Sequence, residues 1–308
     1  MNTHDGPHPS RSMPAPPGLH GLRDEPWTPV GPAGLPAWSL TLPQPQARFD
    51  PSIPHPARVY DYWLGGKDNY EADRRAGDAV KLHRPQVVAG ARANRAFLGR
   101  VVRYLAADCG IRQFLDIGTG LPAIGATHQV AQRAAPRARV VYVDNDPLVL
   151  VHARALLTST PQGACAYVEA DLRHPADILT QAAATLDFTQ PIAVLLLAVL
   201  HFLADTDNPA GVVAKLTGGL APGSYLVISH LTADLAPGQV GTAVAAYNTL
   251  APVPVTPRTH AQVTGLFGGL PLVAPGVVPV SEWRPDAGQL PQPGDLYAGA
   301  VTIPRGHR

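Results

Sequence analysis

From Ile111 onward the chain alternates short runs that are apolar on both faces with longer stretches of helical period. Val140-Val141-Tyr142-Val143 and Val194-Leu195-Leu196-Leu197 have almost no polar side to turn towards water. Strands of this kind must be covered by helices above and below, as central strands of a parallel sheet are. The spacing predicts strands at 113–117, 139–144, 165–169, 192–199, 224–230 and 296–303. It predicts helices at 122–135, 147–158, 175–186, 209–220, 238–250 and 258–267. Such alternation implies an α/β fold, a doubly wound, mostly parallel sheet with helices on both faces.

The region before this core reads differently. Residues 57–84 are densely charged and helical, with a break at Gly65-Gly66. Residues 86–107 form an amphipathic helix with Phe97, Leu98, Val101, Val102 and Leu105 on one face. Arg92, Arg95 and Arg103 fall on the opposite face, with Arg100 towards its edge. Residues 57–112 are therefore expected to be an N-terminal helical segment attached to a core at 113–308, with 57–308 one compact domain. Residues 1–56 hold 14 of the 34 prolines and almost no apolar periodicity. They cannot bury enough surface to offset ordering, so a disordered Pro-rich extension is expected.

Charge and composition exclude several classes. Formal net charge is +1, far from the basic excess of a polyanion binder, so nucleic acid is not the expected partner. Residues 57–112 hold 11 Lys/Arg against 6 Asp/Glu, and the arginine stripe there reads as a solvated helix face. Cys109 and Cys165 stand in no CxxC or Cys/His cluster, so no metal site is expected. The longest apolar stretch, Ile192 to Ala204, is short of the ~20 residues a membrane span needs. No apolar leader core follows the N-terminus. The expectation is a soluble cytoplasmic protein without a membrane partner.

Ligands of open α/β sheets bind beyond the carboxyl ends of the strands. Here those ends are polar while the strand bodies are not. Asp116-Ile117-Gly118-Thr119-Gly120-Leu121-Pro122 follows the first strand. Its glycines permit a sharp turn and close ligand approach, and Pro122 suits the first turn of a helix whose N-terminus could face an anion. Gly118, Gly120 and Ala123 also satisfy the dinucleotide fingerprint, which leaves an NAD(P)-dependent oxidoreductase open. Asp144-Asn145-Asp146-Pro147 follows the second strand; Asp144 can accept ribose hydroxyls, and Asp146 suits a helix N-cap. Glu169-Ala170-Asp171-Leu172-Arg173 follows the third and suits an adenine ring. Val199-Leu200-His201-Phe202 and Ser229-His230-Leu231-Thr232 follow the fourth and fifth. Together these ends point to a nucleoside site.

The Asp116 to Gly120 run is similar to the acidic glycine loop of class I methyltransferases, and Asp144 and Asp171 fall where that superfamily holds ribose and adenine. More narrowly, the chain resembles an actinobacterial S-adenosyl methyltransferase family first catalogued as a domain of unknown function. The matching segments are Ala57–Asn69, Asn94–Leu98, Arg112–Pro122, Val140–Pro147, Ala198–Phe202, Pro222–Leu226 and Ser281–Pro285, over about residues 55–303. The resemblance implies a seven-stranded Rossmann-like sheet, S-adenosylmethionine as cofactor, and methyl transfer to an unidentified acceptor, expected to be a small molecule. It assigns cofactor binding to Asp116, Gly118, Thr119, Gly120, Asp144, Asn145, Asp171 and Leu172. Tyr60 to Asn69 are expected to cover the cofactor as a lid, with Tyr62, Lys67 and Asn69 in contact. His201 is the expected base, since neutral histidine suits proton removal near pH 7, and His230 is a weaker candidate. Tyr247 and Asn248 are possible acceptor contacts. The chain departs from the family pattern at Ala123, Ala126 and Gln129, and at Ala298 to Val301. Lost polar contacts there motivate an alternative, a cofactor-binding regulatory protein without catalysis.

Overall fold

The computed structural model describes residues 50–156 and 158–304, so residues 1–49 of the proline-rich extension lie outside the described residues. The described residues form one compact unit. Three helices come first: α1 (Pro56–Leu64), α2 (Glu71–His83) and α3 (Val87–Ala107). The core then runs β1 (Gln113–Ile117), α4 (Thr127–Ala134), β2 (Arg139–Asp144), α5 (Pro147–Leu156), β3 (Ala164–Glu169) and α6 (Pro175–Ala182). It continues with β4 (Ala193–Leu197), α7 (Pro209–Thr217), β5 (Tyr225–Leu231), α8 (Pro237–Leu250), α9 (His260–Gly265), β6 (Val278–Pro279) and β7 (Leu296–Thr302).

The seven strands make one sheet in the order β3-β2-β1-β4-β5-β7-β6. The first five pair in parallel, β7 runs antiparallel to β5, and β6 antiparallel to β7. The doubly wound sheet expected from the apolar runs is thus observed. Side-chain alternation splits the strands between two cores. Leu115, Ile117, Val141, Val143, Val194 and Leu196 face a core shared with α6, α7 and α9. Phe114, Val140, Tyr142, Ala193, Leu195 and Leu197 face a second core shared with α3 and α4. Both faces are buried, which is why the runs carry no polar period.

Three expectations need correction. The helix expected from Pro122 begins only at Thr127. Gly120 (φ 66°) and Gly125 (φ 77°) take left-handed conformations, so residues 118–126 form an open loop. The arginine stripe on α3 is also not one solvated face. Arg100 is buried and donates from Nε to the Trp283 carbonyl (3.1 Å) and from Nη2 to the Val280 carbonyl (2.8 Å). Arg92 and Arg103 are exposed as expected. Finally, His55 and Pro56, grouped with the extension on sequence, form the N-cap and first residue of α1. The His55 ring accepts the Ala57 N–H at the start of α1.

Among the described residues no helix is long and apolar enough to cross a membrane. Trp283 shows why Ser281 to Pro285 holds its character. Its ring is fully buried, edge-on to Phe97 (5.3 Å) and Tyr104 (5.9 Å). Trp283→Ala should therefore destabilise the protein by about 3–5 kcal/mol. Urea unfolding measures this, and a cost below about 1 kcal/mol would contradict the packing.

Candidate functional site

β1 lies between β2 and β4, and the connections leaving it and β4 depart in opposite directions across the sheet. A crevice opens at such a switch point. A cavity of about 370 Å³ occupies it. Asp116, Gly118, Thr119, Gly120, Asp144, Asn145, Asp171, Leu172 and His201 all line this cavity. The strand-end residues named from the sequence are thereby gathered from β1, β2, β3 and β4 into one place.

The glycine loop is built around Asp144. One carboxylate oxygen accepts the Gly120 N–H (2.8 Å) and the other the Asp146 N–H (3.0 Å). Two N–H bonds leave further lone pairs on a buried carboxylate, the arrangement a diol would meet. Burial holds the Asp144 pKa above the ordinary carboxylate value despite these bonds. Gly118 takes φ 73°, and a Cβ there would lie 2.4 Å from the Val199 side chain. At Gly120 a Cβ would meet no protein atom within 4 Å, so the loop backbone borders free space in the cavity. Asp146 caps α5 as expected, accepting the Leu148 N–H at 2.9 Å. Its second oxygen lies 3.0 Å from His55 Nδ1.

Asp116 is buried and accepts the Thr127 hydroxyl at 2.6 Å. Burial pushes its pKa up to about 6, against the Thr127 hydrogen bond and the positive charge of Arg95. Arg95 is the residue that sequence reasoning missed. It lines the cavity rather than the solvent face. Of the cavity arginines, Arg84 is bidentate to Asp295 and Arg173 is paired with Asp171. Arg95 makes no ion pair among the described residues, only contacts of 3.5 and 3.4 Å to the Ile124 and Gly125 carbonyls. Its neighbour Asn94 sits on the apolar side of the helical wheel. The signal available was that α3 must cross the strand ends somewhere, which periodicity cannot locate.

The lid expectation is half corrected. Tyr60 and Trp63 line the cavity; Tyr62, Lys67 and Asn69 do not. The Tyr62 hydroxyl donates to Asp78 (2.7 Å), and the Lys81 ammonium sits 4.7 Å from its ring centre. Asn69 donates to Asp61 (2.9 Å) and to the Gly66 carbonyl (3.0 Å), and Lys67 is exposed. This run closes the turn after α1. A Cβ on Gly66 would lie 1.9 Å from the Asp61 carboxylate, so the glycine is needed for that approach. A hydrogen-bond chain anchors Tyr60 instead. Its hydroxyl donates to the Ala91 carbonyl (2.9 Å) and accepts from Asn94 (3.1 Å). Asn94 in turn accepts from Ser229 (2.7 Å), which accepts the Ala198 N–H (2.9 Å) at the end of β4.

The two histidines separate. His230 does not line the cavity. Its Nδ1 donates to the Leu231 carbonyl (2.7 Å) and its Nε2 accepts from Arg258 (2.9 Å). With both nitrogens engaged and burial pushing its pKa to about 4, it is a neutral structural group rather than a base. His201 does line the cavity, and burial holds its pKa well below the usual histidine value, with His230 and Arg258 adding to the shift. The Leu231 N–H points to Nδ1 at 3.4 Å, which leaves the ring proton on Nε2. In this arrangement His201 offers a hydrogen-bond donor, not a free base.

Ala123 and Ala126 do not border the cavity, and Gln129 accepts the Gly125 N–H at 3.0 Å. Among the described residues no cluster of metal-ligating side chains occurs.

The sequence matches the S-adenosyl methyltransferase family over residues 43–303. The chain belongs to that family. It is 46% identical to a DUF574-family protein from Streptomyces avermitilis of known crystal structure, covering 83% of this chain and 99% of that one, with a TM-score of 0.80. It is 40% identical to a candidate methyltransferase from Thermobifida fusca, covering 86% and 100%, with a TM-score of 0.77. No curated protein matches the chain. The resemblance read from the motifs is borne out, and the family's cofactor is S-adenosylmethionine. The cavity fits that group: a diol acceptor at Asp144, backbone bordering free space at Gly120, and opposite charges at Arg95 and Asp116.

The pKa of Asp116 generates a prediction. A carboxyl raised from its ordinary value to about 6 keeps its proton longer folded than unfolded, so its contribution to stability falls as pH rises from about 4 to about 6. His230, lowered to about 4, works in the opposite sense across the same range. Asp116→Asn removes only the first effect. Its thermal stability relative to wild type should rise between pH 4 and pH 7.5, by on the order of 2–3 kcal/mol. A pH-independent difference would show that the Asp116 pKa is not raised in the folded protein.

Proposed function

We propose that this chain is a methyltransferase that binds S-adenosylmethionine through its β1–β3 strand ends and methylates a small-molecule acceptor held beside them. The observation that carries the reading is the single cavity that joins the glycine-loop residues to an apolar half walled by α1, α2 and α8. When bound, S-adenosylmethionine supplies an electrophilic methyl group, so the acceptor must offer a heteroatom that can release a proton. The residues then have separable tasks. Asp144 orients the ribose, and the Asp171-Leu172 turn receives the adenine. Both Asp171 oxygens accept from Arg173, one from its backbone N–H and Nε and the other from Nη2, so an adenine would use their remaining lone pairs.

The amino-acid end of the cofactor is a zwitterion. Arg95, free of any carboxylate partner among the described residues, suits its carboxylate. Asp116, across from it, suits its ammonium. His201 serves as a positioning residue, its Nε2–H directed to a polar atom of a bound ligand. Tyr60 and Trp63 help exclude water from the reacting atoms. Holding the partners in register is the main catalytic contribution of such a site, worth ~7–11 kcal/mol of barrier. A cytoplasmic setting fits this reading.

Isothermal titration of the full chain with S-adenosylhomocysteine, with NAD as control, tests the function. Binding of the former alone is expected. Asp144→Ala should abolish it. Unchanged affinity in that variant would remove the site assignment, and NAD binding would replace the function with an oxidoreductase.

Arg95→Met makes a finer test. It should weaken S-adenosylhomocysteine by about 10–100-fold, since a charge-assisted bond to a carboxylate is lost. It should leave methylthioadenosine, which lacks the amino-acid end, within about twofold of wild type. Equal losses for both ligands would mean Arg95 acts on the loop and not on the carboxylate.

A further inference from the structure

We infer that Arg258, which does not line the cavity, is a positioning residue of the site: it sets the place and the tautomer of His201, so that this ring can only donate a hydrogen bond to a ligand. The inference rests on the proposed function for what His201 meets, but not for the state of the ring. Arg258 lies just ahead of α9 and is 4% exposed. Its guanidinium is set among four acceptors. Nη1 donates to the Leu200 carbonyl (3.1 Å) and to His230 Nε2 (2.9 Å). Nη2 donates to the Leu203 carbonyl (2.9 Å) and to the Asp205 carboxylate (2.7 Å). His201 sits in the single 3₁₀ turn Leu200–Phe202 between those two carbonyls. From the same segment the Thr256 N–H donates to the His201 carbonyl itself (2.8 Å). The turn is therefore fixed at each step by the chain around Arg258.

The tautomers follow from the direction of the bonds. A guanidinium has donors and no acceptor, so His230 Nε2 must accept from it. A neutral His230 then carries its proton on Nδ1, and the Leu231 carbonyl accepts it at 2.7 Å. Protonating Nε2 would set one N–H against another. The Leu231 carbonyl also accepts the Arg258 N–H (3.0 Å), which ties its strand end to the same segment. The Leu231 N–H points to His201 Nδ1 (3.4 Å), so a neutral His201 carries its proton on Nε2. No described residue accepts from that nitrogen, and it is not among the sealed, unpartnered polar atoms. The two rings thus hold opposite tautomers, edge-on to each other with centres 5.6 Å apart.

Charge acts in the same direction as geometry. After burial, the groups that act on His201 are His230 and Arg258, and both oppose its protonation. Burial, with Arg258 adding to it, holds His230 down at about 4 against its bond to Leu231. Asp205 is the one carboxylate that Arg258 meets, and its side chain is largely exposed, so water screens it. A buried guanidinium held mostly by neutral acceptors is costly beside an apolar side chain of the same size. What it supplies is register. Its planar fork spans four groups at once, which neither an apolar residue nor a single ammonium can do.

Nitrogen-15 spectra of the histidine rings in the full chain test this, with the two signals assigned from His201→Gln and His230→Gln. In the wild type His230 is expected as the neutral Nδ1–H tautomer and His201 as the neutral Nε2–H tautomer, both unchanged between about pH 6 and about pH 8. A His201 protonated on Nδ1, or titrating in that range, overturns the inference. Arg258→Met removes the fork and the charge. His201 should then populate both tautomers, and its protonation midpoint should rise by on the order of one pH unit. Arg258→Lys keeps the charge and loses the fork. It should mix the His201 tautomers while holding the midpoint low, a split that loosened packing alone would not produce. It carries the test by itself should Arg258→Met not fold. An unchanged His201 tautomer in a folded variant overturns the role of Arg258. Titration of the wild type with S-adenosylhomocysteine keeps the two readings apart. Absence of binding overturns the proposed function and leaves the ring assignments standing, whereas failed assignments with binding intact overturn this inference alone.

Discussion

The arrangement depends on what happens where β1 stops. A parallel strand interior is sealed by neighbours and helices, so nothing can be done there. At its carboxyl end the chain must leave the sheet. β2 and β4 flank β1, and the connections from β1 and β4 leave in opposite directions, so neither of them covers the gap. Backbone N–H groups that would be orphaned there need acceptors. Asp144 supplies them, taking the Gly120 and Asp146 N–H groups on its two oxygens. This one carboxylate sets the shape of the glycine loop, fixes the start of α5 through Asp146, and remains available to a ligand. Much of the site's geometry follows from satisfying the edge of a sheet.

The N-terminal helices turn that edge into an enclosure. α1 is held by a buried pairing: Arg58 Nε lies 3.0 Å from Asp73, which also accepts the His55 N–H (2.8 Å). Asp73 sits on α2 and is fully buried. Such a pair is weak evidence of net stability but strong evidence of register, because a misplaced helix would leave a bare charge inside. The Tyr60-Asn94-Ser229-Ala198 chain repeats this logic across α1, α3, β5 and the end of β4. The motif around Tyr60 to Asn69 is thereby divided. One part faces the cavity, and the rest is the internal bonding of a tight turn.

The expectations that failed share a cause. Tyr62, Lys67 and Asn69 were assigned to the cofactor because polar residues in a glycine turn suit a ligand equally well as they suit each other. The Asp61 carboxylate takes Asn69, Asp78 takes the Tyr62 hydroxyl, and Lys67 is exposed. The helix expected at Pro122 gave way to a loop because Gly120 and Gly125 both adopt left-handed conformations. Periodicity alone places Arg95 on the solvated face of α3, because it treats the helix as packed along its whole length. The helix reaches past the strand ends, where Asn94 and Arg95 both line the crevice.

The sequence by itself determined the sheet, the two-sided burial of its strands, and the residues at its strand ends. These are local consequences of periodicity and of where apolar runs stop. It also determined the family, through motifs too long to arise from packing alone. Only the tertiary structure decided which polar side chains are spent on one another and which are left for a ligand. Asp61, Asn69, His230 and Asn248 are consumed internally; Arg95 has no carboxylate partner among the described residues. The physical reason is that a hydrogen bond between residues far apart in the chain leaves no trace in local pattern. Availability is what remains after every such bond has formed.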